Sequence, residues 1–124
     1  MPAYPNFTLP SYICAKNASF PVVIDGRATF NETYHYLEIF EVSQIGVPAP
    51  VAGTSYSQWF TGEIGQVNLR TYCNYNFQVN KKYYIKLAVS TTNPTGQICS
   101  LFDQTAKYVE ILPIGGCPIN PQVE

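Results

Sequence analysis

The stretch Phe77-Gln-Val-Asn-Lys-Lys-Tyr83-Tyr-Ile-Lys-Leu-Ala-Val-Ser90 restricts the fold more than any other part of the chain. Tyr83, Ile85, Leu87 and Val89 fall on one side of an extended backbone, and Tyr84, Lys86 and Ser90 on the other. Period-two alternation marks a strand with one buried face. Tyr34-His-Tyr-Leu-Glu-Ile-Phe-Glu-Val42 alternates in the same way: Tyr34, Tyr36 and Glu38 share one face, His35, Leu37, Ile39 and Glu41 the other. Tyr, Ile, Phe and Val favour strand over helix in such a run.

Shorter runs fill the remainder. Thr8 to Cys14 reads as a weak strand, and Phe20-Pro-Val-Val-Ile24 is an apolar run stopped by the turn signal Asp25-Gly26. Tyr56 to Phe60 carries the only Trp, Trp59; Gln66 to Tyr72 is a further strand, and Lys107-Tyr-Val-Glu-Ile-Leu112 the last. Pro48 and Pro50 keep helix and central strand out of the Gln44–Ser57 loop. Thr91 to Gly96 reads as a turn-rich loop, with room for a helical turn near Ser100 to Thr105. About seven short strands at regular spacing predict an all-β, antiparallel two-sheet sandwich with extended terminal arms. The expected organisation is an N-terminal arm over 1–19, the sandwich over 20–113 and a tail over 114–124.

Length and charge bound the function. A chain of 124 residues makes one domain with a real core. Charged residues are 12% of the chain, about half the usual share. The net charge is −1 and Lys81-Lys82 is the only basic pair, which argues against nucleic acid and anionic lipid heads. No apolar run approaches the ~20 residues of a membrane span. Met1-Pro-Ala-Tyr-Pro5 lacks the basic start and apolar core of a signal peptide. The expectation is a chain whose signal has been removed, or a piece of a longer precursor.

Cysteines stand at 14, 73, 99 and 117 without a Cys-x-x-Cys pair, and there is one His; both facts argue against zinc. An even count in a small β domain predicts two disulfides in an oxidising compartment, hence a secreted or surface location. Of the three pairings possible, Cys73–Cys99 with Cys14–Cys117 is the expected one. The alternative is a set of buried free thiols in a reducing compartment.

At this level the chain resembles a fibronectin type III or immunoglobulin-like module. Phe77, Val79, Lys81 and Tyr83 hold the places of the Leu-x-Pro-x-Thr-x-Tyr approach to the sixth strand of type III modules. The proline of that pattern is Val79 here, and the usual second-strand Trp is missing. The resemblance implies that Tyr83 is a tyrosine-corner residue, ring inward and hydroxyl bonded back to the chain. Over 21–112 the chain is also similar to β modules of secreted and surface proteins of environmental bacteria. The carriers are Pro21-Val-Val-Ile-Asp25-Gly26, Asn31-Glu32, Ser57-Gln-Trp-Phe-Thr-Gly62, Tyr83 to Ser90 and Cys99-Ser-Leu-Phe-Asp-Gln-Thr105. In those modules a Cys just before the Tyr-Tyr pair bonds to the later Cys; the nearest here is Cys73, several residues early. The resemblance implies an extracellular, non-catalytic building block.

The residues offer little for catalysis. His35 is the sole candidate base and lies inside a strand, where it is expected to be a sheet residue hydrogen-bonded locally or facing solvent. Glu38 and Glu41 point to opposite faces of one strand, and Glu32, Glu63 and Asp103 sit in separate loops, so no carboxylate pair is expected. Asp25-Gly26 with Asn31-Glu32 could offer oxygen ligands to calcium, but turn chemistry accounts for them better. No cofactor or metal is expected. Asn6-Phe-Thr8, Asn17-Ala-Ser19 and Asn31-Glu-Thr33 are glycosylation sequons.

The chemical surplus is aromatic: ten Tyr, seven Phe and one Trp. Amphipathic rings anchor protein interfaces or stack on sugars at low entropy cost. Tyr34, Tyr36, Tyr56, Trp59, Tyr84 and Tyr108 are the candidate contact residues. The first functional expectation is a structural or adhesion module of a surface protein, possible as the self-assembling subunit of a filament through its arm or an edge strand. Its partners would be copies of itself or neighbouring modules. The second is a carbohydrate-binding module with a Tyr/Trp platform; an enzyme is the third and least supported.

Overall fold

The computed structural model describes residues 5–29, 32–92 and 103–117. Within them the elements run β1 (Tyr12–Cys14), β2 (Val23–Asp25), β3 (Tyr34–Val42), β4 (Tyr56–Thr61), β5 (Gln66–Asn68), α1 (Leu69–Tyr72), β6 (Lys82–Ser90) and β7 (Gln104–Leu112). The strands form two sheets, one ordered β1-β7-β6-β3-β4 and the other β2-β5. The chain is thus mostly β, as the alternation demanded.

β3 and β6 are the spine. Their register opposes Leu37 to Leu87, Ile39 to Ile85 and Glu41 to Tyr83. Residues opposite one another in an antiparallel pair share a face. The inner face therefore carries His35, Leu37 and Ile39 beside Ile85, Leu87 and Val89, all buried. Val109 and Ile111 of β7 extend it, and Val22, Ile24 and Leu69 from the smaller sheet and its flanks join the same apolar cluster. Each such side chain contributes about 1.5–3 kcal/mol by leaving water.

Tyr83 is buried, its ring meets Phe77 edge-on at 4.8 Å, and its hydroxyl accepts the Gln78 N–H at 2.8 Å. That bond satisfies a backbone donor just before β6 begins, where no ladder partner exists.

The described part of the N-terminal segment is tied to the body: β1 lies within the weak strand expected over Thr8 to Cys14, Phe7 is buried in the core and Thr8 bridges Asp25. The Asn6 N–H donates to Thr29 Oγ1 at 2.9 Å, and that hydroxyl donates to the Asn6 carbonyl at 2.6 Å. β1 then pairs in parallel with β7, Tyr12 opposite Glu110 and Cys14 opposite Leu112. The large sheet is therefore mixed rather than wholly antiparallel. The physical reason is that Phe7 and Phe20 bury their rings on either side of β1 and draw the intervening backbone onto the edge of β7.

The expected Gln66–Tyr72 strand is also shorter. β5 ends at Asn68, whose side-chain oxygen accepts both the Arg70 N–H (3.1 Å) and the Val22 N–H (3.1 Å). An Asn that caps the following turn starts a helix, here α1, and ends the strand. β7 begins at Gln104, so Gln104 and Thr105 are strand, not helical turn. The rest of that turn, Ser100 to Phe102, most of the Thr91–Gly96 loop and the tail beyond Cys117 lie outside the described residues.

Candidate functional site

The outer face of the large sheet follows from the same parity that builds the core. Tyr34, Tyr36, Glu38 and Phe40 of β3 alternate with the buried inner row. The β3–β4 register places Trp59 opposite Tyr36, and the β3–β6 register places Lys86 opposite Glu38 and Tyr84 opposite Phe40. β6–β7 pairing adds Tyr108 opposite Tyr84. Five of the six aromatics expected to form a contact surface, Tyr34, Tyr36, Trp59, Tyr84 and Tyr108, thus share one face, each half-buried.

They make two clusters. Tyr36 and Trp59 meet tilted at 5.1 Å between centroids. Phe40 stacks on Tyr84 at 4.4 Å, and Tyr84 meets Tyr108 edge-on at 5.5 Å. Between the clusters lies the Lys86–Glu38 ion pair at 3.0 Å. Such ring pairs add about 0.5–1.5 kcal/mol beyond area burial. Phe40 was missed by the sequence reading. The signal was its even-numbered place in the β3 alternation, beside Tyr34 and Tyr36.

Tyr56 belongs elsewhere. It lies opposite Ile39, hence on the inner face, and its ring packs against the core cluster and edge-on to Tyr75 at 6.3 Å. Burial raises its hydroxyl above the usual tyrosine range. β4 itself is an outer strand of the five and carries neither charge nor proline over Tyr56–Thr61. Those are the devices that usually blunt an edge.

Of the expected disulfides, Cys14–Cys117 is present, with Cα atoms 5.5 Å apart. Cys73 is not half of a second one. It is a free thiol, because the turn of α1 aims it into the core, where burial pushes its pKa up to about 11. Its expected partner Cys99 lies outside the described residues.

His35 is fully buried and spoken for on both nitrogens. Nδ1 lies 2.7 Å from the Gly62 carbonyl and Nε2 2.7 Å from the Tyr72 hydroxyl. A carbonyl only accepts, so Nδ1 carries the proton and Nε2 takes one from Tyr72. Stacking by Phe60 and Tyr72 closes the pocket, and burial lowers the imidazole pKa against the smaller opposing pull of the Gly62 carbonyl. Both ring nitrogens of His35 thus serve contacts within the fold.

Glu38 and Glu41 lie on opposite faces, Glu38 paired to Lys86 and Glu41 to Lys81 at 3.5 Å. Asp25 closes a turn, accepting the Arg27 N–H at 3.0 Å and pairing with its guanidinium, which holds the carboxyl down at about 2. No cluster of three or more metal-ligating side chains occurs among the described residues. Glu32, named above with Asp25 as a possible oxygen ligand, takes a different part. It is buried, Oε2 accepts the Ile64 N–H at 3.1 Å, Oε1 has no partner among the described residues, and burial raises its pKa.

No family model, curated protein or solved structure matches the chain. No described helix is long and apolar enough to cross a membrane.

Proposed function

We propose that the chain is a non-catalytic immunoglobulin- or fibronectin type III-like sandwich module of an extracellular or surface protein. It works by contact with copies of itself or with neighbouring modules, through the outer face of the large sheet. The observation that carries this reading is the gathering of Tyr34, Tyr36, Trp59, Tyr84 and Tyr108 on that face. Ring-rich surfaces give large contact area at low entropy cost, which is what an interface core needs.

Three further features support it. The order β7-β6-β3-β4 with a separate β2-β5 pair fits the immunoglobulin-type arrangement in which the penultimate strand lies beside the third and the last strand lies outside it. The Tyr83 hydroxyl bond to Gln78 is of the tyrosine-corner kind. The Cys14–Cys117 bond favours an oxidising compartment. The uncharged β4 edge lies beside Tyr36 and Trp59, so a neighbour could add a strand and cover the rings in one event.

The test is negative-stain microscopy and light scattering of unreduced protein beside the Tyr36→Ala/Trp59→Ala variant. Ordered assemblies that the variant loses, while its circular dichroism stays native, are the expected result. A wild-type monomer at every concentration would refute self-assembly. Retained assembly in the variant would refute the choice of face.

A further inference from the structure

The inner face of β3 runs apolar through Leu37 and Ile39 and then reaches Glu41, opposite Tyr83, where β3 finishes and β4 and β6 begin. The core opens there into a cleft of about 440 Å³. One wall is the approach to β4, with Thr54 and Tyr56; the other is the segment from Asn74 to Gln78. That segment alternates: Tyr75 and Phe77 pack inward, and Asn74, Asn76 and Gln78 are exposed. All three of these amide side chains line the cleft. No side-chain hydrogen bond among the described residues engages any of the three.

The walls are fixed before any ligand arrives. The Tyr75 hydroxyl donates to the Thr54 carbonyl at 2.7 Å, joining the two sides. The Gln78 N–H is held by Tyr83 at 2.8 Å, and the Phe77 carbonyl accepts from Arg70 at 2.5 Å. Asn74 holds the left-handed conformation, φ 52°, that turns the chain into the segment. The backbone of the walls is thus preorganised, and binding has only the amide rotamers left to order.

The chemistry of the lining selects the ligand. Glu41 is balanced by Lys81, so the cleft has no net charge to attract a cation or anion. No set of metal-ligating side chains converges among the described residues. What remains is one carboxylate that accepts, three amides that each donate and accept, and ring surface from Tyr56 and Tyr75. Paired donors and acceptors beside a ring suit adjacent hydroxyls on an apolar-faced ring. We propose that this cleft binds one neutral pyranose unit of a glycan, read by Glu41, Asn74, Asn76 and Gln78 against Tyr56 and Tyr75. The site is separate from the outer sheet face, so it stands or falls apart from the assembly reading.

A half-open site for a single sugar unit has an expected Kd of about 1 mM. The experiment is a ¹⁵N-resolved NMR titration of the oxidised protein with the methyl glycosides of glucose, galactose, mannose, fucose and N-acetylglucosamine, each to about 10 mM. Saturable shifts of the Asn74, Asn76 and Gln78 side-chain amides by at least one of them are expected. Asn76→Ala, at an exposed position, should weaken that binding about fivefold and leave the backbone spectrum otherwise native. Tyr36→Ala/Trp59→Ala should leave the binding unchanged. No saturable shift from any of the five sugars would overturn the proposal. So would shifts that map to Tyr36 and Trp59.

Discussion

Loss of the Cys14–Cys117 bond should be the largest single destabilisation available without touching the core. The bond joins residues 103 apart in sequence. In the chain-entropy treatment a loop of that length removes about 16 cal/mol/K from the unfolded ensemble, or about 4.7 kcal/mol at 25 °C. Cys14 is solvent-exposed and Cys117 half-buried, so replacing both by Ala opens no large cavity and the difference reports mainly on the unfolded chain. β1 still pairs with β7 in the variant, so the native fold has no reason to change.

Urea unfolding at constant pH is the assay, run on both proteins in a Cys99→Ser background. The thiol then left in common is Cys73, whose burial keeps it protonated and slow to exchange. The expected loss is about 3–5 kcal/mol, with a larger m-value in the variant because its unfolded chain expands further. With about 2.1 cal/mol/K of unfolding entropy per residue, that loss corresponds to roughly 12–19 °C in Tm. A difference below about 1 kcal/mol at unchanged m would refute the reasoning, since it would mean the closed loop does not restrain the unfolded ensemble.

Three other outcomes are expected. Tyr83→Phe keeps the buried ring and removes the acceptor for the Gln78 N–H, so it should cost about 1 kcal/mol by denaturation; a neutral substitution would mean that water replaces the bond in full. His35 has a folded pKa below its unfolded value, so the unfolded state binds the proton first and stability falls as pH drops below about 6.5. NMR should show the Nδ1–H tautomer at pH 7, and an imidazole titrating at or above 6.5 would contradict the burial argument. Glu32 has a raised folded pKa, so its contribution weakens as pH rises through the ordinary carboxylate range; Glu32→Gln should raise stability at pH 7 by about 1 kcal/mol, and a loss of that size would show that the charge is satisfied.

What could be read from the sequence was whatever a half-buried strand writes into every second residue. β3 and β6 fell into place, faces included, because their inner rows Leu37–Ile39 and Ile85–Leu87–Val89 are uninterrupted. The aromatic face followed from that parity, since Tyr34, Tyr36 and Tyr84 simply take the other phase. Tyr56 did not follow, because its phase is set by the register with β3, and that depends on the long connection before it. The break between β5 and α1 rests on Asn68, which serves its own helix and the distant Val22 at once. Nor does a Pro-rich stretch announce that Phe7 will be buried by residues far along the chain. The inward turn of Cys73 is a further case, for a cysteine's spacing carries no sign of which way its side chain will face. The cleft was illegible for the same reason: its two walls come from segments about twenty residues apart, brought together by the sheet.

The clasp between Cys14 and Cys117 also decides how the molecule would carry a load. A pull on the two ends of the oxidised chain travels along the residues before 14, crosses the sulfur bridge and leaves beyond 117. The pull first loads the holds that precede the bridge, the buried Phe7, the Thr8–Asp25 bridge and the β1–β7 pairing; once these yield, the sulfur bridge carries the tension past the ladders of β3, β6 and β7. In a reducing medium the same pull would fall on the three-residue shear contact of β1 with β7, and the freed residues could pay out roughly 35 nm of chain at about 3.5 Å each. Strung in series with its neighbours, such a unit would be a link of short reach while oxidised and a long spring once reduced.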